Sequence, residues 1–344
     1  MSKNKTNIKY KVLLFTLSIV ILFLLYKITI GSNVQINADT YYFYVSEKTS
    51  ASDIADSLKK REAIGSRLSF RIMSAVFDLD EVKPGMYEIK KEWNNYKLLS
   101  HFKTFKPKQT VFVTLPPMQR RGNMLEALCR GTGIHPDDVW KVLNDKNFVQ
   151  ELGGFSTESV FAIFLPRNYR IYKKSDAKSL VERMYQEYLF FWNKKRLSKA
   201  KEMELTPEEV TVLASIVYSE TKLNTEMPMI AGVYLNRIQK NMRLESDPTL
   251  VYANKKFGTK RVLRKDKNID SPYNTYKCKG LPPGPIYTVP TEVIENVLDY
   301  EGHDYLYFCA KHDMSGEHIF AETFEDHLEN ARKYRDKLDE ENIF

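Results

Sequence analysis

Glu220 stands where a surface helix would not put an acid. In "LASIVYSETKLN", residues 213–224, Leu213, Ile216 and Val217 recur at the three- and four-residue spacing that lines one helical face, and Glu220 falls on that face. A carboxyl held against an apolar face loses solvation of its charged form, so its pKa rises toward the range a general acid needs near neutral pH. The bland alternative is a carboxylate at a helix end that reaches solvent or pairs with Lys222. Spacing alone does not choose between them.

The residues that could accompany such an acid follow in order along the chain. Asn236 and Arg237 lie together near the end of a second helical pattern, "EMPMIAGVYLNRIQK", and Asp247 and Thr249 lie in "SDPT", where Pro248 fixes the backbone. Tyr273, Asn274, Thr275 and Tyr276 crowd against the proline-rich "GLPPGPI". Flat rings and short polar groups on a stiff loop suit a sugar site, with ring faces for pyranoses and hydroxyls or amides for their OH groups. His318 and Phe320, in "GEHIFAETFEDH", sit at a strand end, where a lone histidine is more often structural. Asp247 is the one other acid in the set, and it reads as a turn residue.

The helix carrying Glu220 has a written start. "LTPEEVTVLASIV" offers Thr206 as N-cap, Pro207 at the first helical position and Glu209 three residues after the cap, a capping box with proline. Upstream, "YYFYV", "TSASDIADSLKKREAI", "SRLSFRIMSAVF" and "VKPGMYEI" predict a small strand, helix, helix, strand unit over residues 41–106. It has no clustered histidine, cysteine or acid, so it reads as a spacer or as a glycan-docking module. "TVFVTLPP" predicts a strand, "MLEALCRGTGI" a short helix, and long helical patterns dominate after residue 176.

The run "VLLFTLSIVILFLLYKITIG", residues 12–31, is apolar for about the twenty residues a bilayer core requires. Lys3, Lys5, Lys9 and Lys11 precede it with no acid among them. The positive-inside rule then keeps residues 1–11 cytoplasmic and sends the remainder outside, with a cleaved signal peptide as the alternative. The chain has 344 residues and a formal charge of +8. That charge is concentrated partly in the N-terminal lysines, and no nucleic-acid-binding signature accompanies it, which argues against a nucleic-acid partner. Cys129, Cys278 and Cys309 have no metal-ligand spacing, so no metal site and no cofactor are expected, although one pair could bridge.

The ordered set "LASIVYSET", "AGVYLNRI", "MRLESDPTLVYA", "SPYNTYKCKGLPPGPI" and "GEHIFAETFEDH" resembles the endolytic murein transglycosylase (MltG, YceG-like) family over about residues 41–340. The resemblance implies an α+β protein with one transmembrane helix (12–31), a small LysM-like βααβ unit (41–106) and a larger catalytic domain (107–341). It implies a lyase of cell-wall biogenesis that cuts nascent peptidoglycan between N-acetylmuramic acid and N-acetylglucosamine and leaves 1,6-anhydromuramyl ends. The work would be done at the outer face of the cytoplasmic membrane, beside synthases of the elongation machinery. In that family the glutamate of the "ET" pair is the catalytic acid/base, a position held here by Glu220. The chain departs from the family pattern at Tyr218, where another acid is usual, at Arg167 and Asn168 in "FLPRNY", and at "PPM" near residue 116. A catalytically silent peptidoglycan-binding scaffold and a hydrolytic muramidase remain as alternatives. The muramidase would need a second carboxylate, for which Asp247 is the nominee.

Overall fold

The computed structural model describes residues 13–20, 23, 26, 28–106, 108–173, 175–259 and 262–341. The fold is mixed α+β and divides into two units, Met1–Thr110 with Leu189–Asn193, and Val111–Tyr188 with Lys194–Phe344. Residues 13–20 are helical. Among the described residues no helix is long and apolar enough to cross a membrane, and residues 1–12, 21, 22, 24, 25 and 27 of the expected tail and span lie outside them.

The first unit runs through β1 (Thr40–Val45), β2 (Thr49–Ser50), α1 (Ala51–Lys60), α2 (Arg67–Val76), β3 (Glu81–Val82), β4 (Gly85–Lys90) and α3 (Asn95–Thr104). β1 pairs antiparallel with β4, from Thr40 opposite Lys90 to Val45 opposite Gly85. Tyr41, Phe43 and Val45 alternate into the core, where Ile54 and Leu58 of α1, Phe70 of α2 and Leu98, Leu99 and Phe102 of α3 meet them. Ser50, Ser66 and Asn94 cap the three helices through their side chains. The expected strand, helix, helix, strand order is present, and α3 is an addition to it. Its apolar stripe consists of three residues, too short to announce a helix by periodicity. Burial of that stripe and a polar link fix it: Asn33 Nδ2 donates to Asn95 Oδ1 at 2.7 Å, and Asn95 Nδ2 donates to Ser69 Oγ at 3.1 Å.

The second unit begins with β5 (Thr110–Leu115), α4 (Arg121–Cys129), α5 (Pro136–Asn144), α6 (Lys146–Gly153), β6 (Arg167–Tyr172), α7 (Ala177–Phe191) and α8 (Lys194–Glu202). It continues through α9 (Pro207–Glu220), α10 (Met227–Gln239), α11 (Asp247–Ala253), α12 (Thr291–Leu298), β7 (Tyr307–Ala310), β8 (His318–Ala321) and α13 (Phe324–Glu340). β5 pairs with β6, and β7 pairs antiparallel with β8. No disulfide forms: all three cysteines are free.

The centre of this unit is α9. Its capping box forms as read, with Thr206 Oγ1 accepting from Glu209 N and Glu209 Oε2 accepting from Thr206 N. Every residue from Val210 to Val217 is buried, which extends the single apolar stripe of the sequence reading around the whole helix. Helices α8, α10, α11 and α12 and the 3-10 turn Ser159–Ile163 surround it. The proline-rich loop is pinned to the same helix, since Ile286 N donates to Ser215 Oγ at 3.0 Å. Within that loop Gly284 is required by close approach: a Cβ there would lie 2.2 Å from the carbonyl oxygen of Glu158.

Because that neighbour is backbone and cannot swing aside, Gly284→Ala is expected to cost about 1–3 kcal/mol of stability. Chemical denaturation measures it, and an unchanged midpoint would show that the loop has room to move.

Candidate functional site

Glu220 is the last residue of α9 and the point where four separate chain segments converge. Its Oε1 accepts one hydrogen bond from Tyr234 OH of α10 and another from Ser246 Oγ, the N-cap residue of α11, each at 2.6 Å. The residue as a whole is half-buried, and the protein packed around its carboxyl makes the charged form costly. Burial raises its pKa above the ordinary carboxyl value. The hydrogen bonds from Ser246 and Tyr234 oppose that rise, the nearby negative charge of Asp247 adds to it, and His318 lowers it. Burial and the adjoining Glu220 also raise the Tyr234 pKa, which keeps that hydroxyl a neutral donor.

The second layer is a chain of short hydroxyls. Ser246 N donates to Thr275 Oγ1 at 3.0 Å, and the Thr275 and Thr249 hydroxyls lie 2.8 Å apart. Both threonines are buried. Tyr276 OH donates to Asp247 Oδ1 at 2.7 Å, and its pKa is raised by burial and by that carboxylate. Asp247 is the first residue of α11 and therefore sits beside the acid instead of in a free turn. Asn274 is fully buried and organises its own loop: Nδ2 donates to the carbonyls of Lys267 and Ile269, and Oδ1 accepts from Tyr276 N.

On the other side stands His318, in β8. Its Nδ1 lies 3.0 Å from Glu226 Oε2, and its backbone N donates to Glu226 Oε1 at 2.5 Å. Thr221 Oγ1 donates to the same carboxylate at 3.0 Å. Burial alone would raise the Glu226 pKa, but these donors hold it below the usual carboxylate value. The result is a second acid six residues beyond Glu220 whose pKa is shifted in the opposite direction, Glu220 upward and Glu226 downward. Phe308 bridges the two sides, edge-on to both the Tyr234 ring and the His318 ring.

The structure thus gathers Glu220, Asp247, Thr249, Thr275, Tyr276 and His318 around one place, with Phe320 against Phe308. Four expected residues do other work, Asn274 in tying its own loop together being the first. Asn236 Nδ2 donates to the carbonyls of His303 and Tyr305, and Arg237 is buried with Nε donating to Leu306 O and Nη1 to the carbonyls of Arg243 and Leu244. Tyr273 turns toward Arg121 and Glu158. Tyr234, Ser246 and Glu226 were not singled out by sequence. Tyr234 lies 14 residues and Ser246 26 residues from Glu220, with no periodic relation to announce either.

The family departures are answered locally. Tyr218 packs edge-on to Tyr287, with the Lys222 ammonium 3.3 Å from its ring centroid. Arg167 pairs with Glu187, which Arg183 also engages at 3.1 Å, and Thr114 Oγ1 donates to Asn168 Oδ1 at 2.8 Å. Met118 exchanges backbone and hydroxyl bonds with Thr288.

Fold and site together define a mixed α+β protein organised around one enclosed carboxylic acid at the end of a core helix. The chain belongs to the YceG-like family, which matches residues 43–333. It is 27% identical over 299 residues to a Bacillus subtilis protein named endolytic murein transglycosylase, covering 83% of this chain and 82% of that one. A Streptococcus pneumoniae protein of the same name is 25% identical over 348 residues, covering 90% of this chain, which spans only 61% of the pneumococcal length. The fold is similar to that of a crystallised YceG-like protein from Listeria monocytogenes, with a TM-score of 0.54 and 25% identity, covering 85% of this chain and 98% of that one.

A raised native pKa means the folded state binds more protons than the unfolded one, so the wild type loses relative stability as pH rises through that window. Glu220→Gln removes the titration and is expected to gain on the wild type as pH climbs above about 4. Denaturation at a series of pH values tests this, and a pH-independent difference would mean the carboxyl titrates normally.

Proposed function

We propose that this chain is an endolytic lytic transglycosylase that cuts peptidoglycan glycan strands at the muramyl–glucosaminyl bond with Glu220 as the single acid/base. The observation that carries the reading is the enclosed carboxyl of Glu220 with its raised pKa and two hydroxyl donors. Family membership and the names of the relatives support the substrate class.

Glycosidases that use water generally employ two carboxylates. One suffices when the nucleophile belongs to the substrate. Glu220 gives its proton to the glycosidic oxygen as the bond to C1 of the muramyl residue breaks. The now ionised carboxylate takes the proton of the muramyl C6 hydroxyl, and that oxygen closes on C1. The leaving glucosaminyl chain keeps Glu220's original proton, the carboxyl is restored, and a 1,6-anhydromuramyl end results. Hydrogen bonds from Tyr234 and Ser246 steady the carboxylate during its ionised interval. Asp247, engaged by Tyr276, favours a hydrolytic muramidase as the second reading, because it places another carboxylate beside the first.

Glu220→Gln keeps the shape and cannot donate the proton, so it is expected to lower turnover about a hundredfold or more. Borohydride reduction of wild-type digests decides the nucleophile: anhydro ends do not react, while free muramyl ends become alditols. A digest dominated by muramitol would assign the reaction to water and to Asp247.

The apolar run 12–31 behind four lysines supports a single-pass anchor with the N-terminus inside and the catalytic unit outside. The strand and helix order of residues 41–106 supports a LysM-like glycan-docking module, and elongation synthases are the proposed neighbours. Protease added to intact spheroplasts is expected to digest the region after residue 31 while a membrane-bound remnant survives. A soluble mature form starting beyond that run would establish a cleaved signal.

A further inference from the structure

A second cleft, about 700 Å³ in volume, opens in the same unit as Glu220 and takes no part in the mechanism above. Its walls carry Arg120, Arg121, Trp140, Tyr252, Lys255 and Phe257. Arg121 is built into the floor: its guanidinium lies 3.9 Å from the Phe161 ring centroid, pairs with Glu158 at 2.9 Å and donates to Tyr273 OH at 2.9 Å. Tyr273 OH in turn donates to Glu158 Oε2 at 2.7 Å. The Nε of Arg121 is buried without a hydrogen-bond partner among the described residues. Arg120 lies over the Phe257 ring at 5.0 Å, and neither Arg120 nor Lys255 forms an ion pair among the described residues. Three cations therefore face one carboxylate, with broad rings between them.

Uncompensated cations beside aromatic faces receive a ligand that carries carboxylates on a partly apolar body. The cleft is also tied to the acid by α11. One end of that helix is capped by Ser246, whose Oγ donates to Glu220, and Tyr252 lies toward the other end, about 9 Å farther along at the usual rise per residue. A sugar at Glu220 and an occupant of the cleft can belong to one polymer. On a peptidoglycan strand the sugar backbone is neutral, because the muramyl lactyl carboxyl is consumed in the amide bond to the peptide. Its free carboxylates reside in the peptides.

We infer that this cleft binds the carboxylate-bearing stem peptide of the glycan strand whose bond is cut at Glu220. The inference rests on the proposed function for its polymer and on the cleft's own chemistry for its ligand. Arg120 and Lys255 hold the carboxylates, and Trp140, Tyr252 and Phe257 cover the peptide's apolar body. The enzyme then distinguishes peptide-bearing from stripped strands by affinity.

Full-length protein in detergent, wild type and Arg120→Gln/Lys255→Gln, is assayed on intact strands and on strands freed of peptide by amidase. Both substituted side chains are exposed, so the fold is expected to survive. On intact strands KM should rise about tenfold with kcat unchanged, the effect of two partly exposed charge pairs acting together. On stripped strands the two proteins should coincide. Equal changes on both substrates, or none on either, would overturn the inference. Calorimetry with the free stem peptide and Glu220→Gln protein separates this from failure of the catalytic reading. Binding that the two further substitutions abolish supports the cleft even if the wild type cleaves nothing. Absence of peptide binding, or equal binding of polyglycerol phosphate, overturns it even if cleavage is robust.

Discussion

Keeping a carboxyl enclosed at the C-terminal end of a core helix is the constraint on which the second unit depends. The helix end carries partial negative charge from its unsatisfied carbonyls, so an anion there is disfavoured on top of its loss of hydration. Glu220 accepts both penalties because Tyr234 and Ser246 supply two hydrogen bonds to one oxygen. Those donors moderate the shift without cancelling it, which leaves an acid with raised proton affinity whose conjugate base still has two hydrogen-bond donors. A general acid needs both properties.

The arrangement dictates much of what surrounds it. Ser246 can donate to Glu220 only if α11 begins where it does, and Thr275 fixes that start by accepting from Ser246 N. Thr275 is placed in turn by a loop that buried Asn274 ties together. The proline-rich segment after it is pinned to α9 through Ser215. Glu226 plays the complementary part, since its low-pKa carboxylate holds His318 and the start of β8 beside the acid.

The segment from Tyr273 to Tyr276 has two faces. Tyr276 reaches Asp247 beside the acid, while Tyr273 reaches Arg121 and Glu158 at the cationic cleft. Residues of one stiff loop thus connect the surroundings of Glu220 with the cationic cleft, and α11 runs between the same two regions. Arg167 shows a similar local logic, since its cation, one of the departures from the family pattern, is matched by Glu187.

Sequence by itself determined the start of α9, because Thr206, Pro207 and Glu209 are local signals whose partners lie within three residues. It placed Glu220 on the apolar face of that helix, although spacing alone left its role open, and it determined the strand at His318 and the strand and helix order of the first unit. Tertiary structure alone decided that α9 is buried on every side, that α3 follows β4, and that Asn236 and Arg237 spend their polar atoms on the 303–306 backbone. It also decided that Tyr234, Ser246 and Glu226 set the proton affinities of the site. The physical reason is distance along the chain: caps and amphipathic faces are short-range and periodic, whereas a hydrogen bond from residue 246 to residue 220 exists only once packing has brought two helices together.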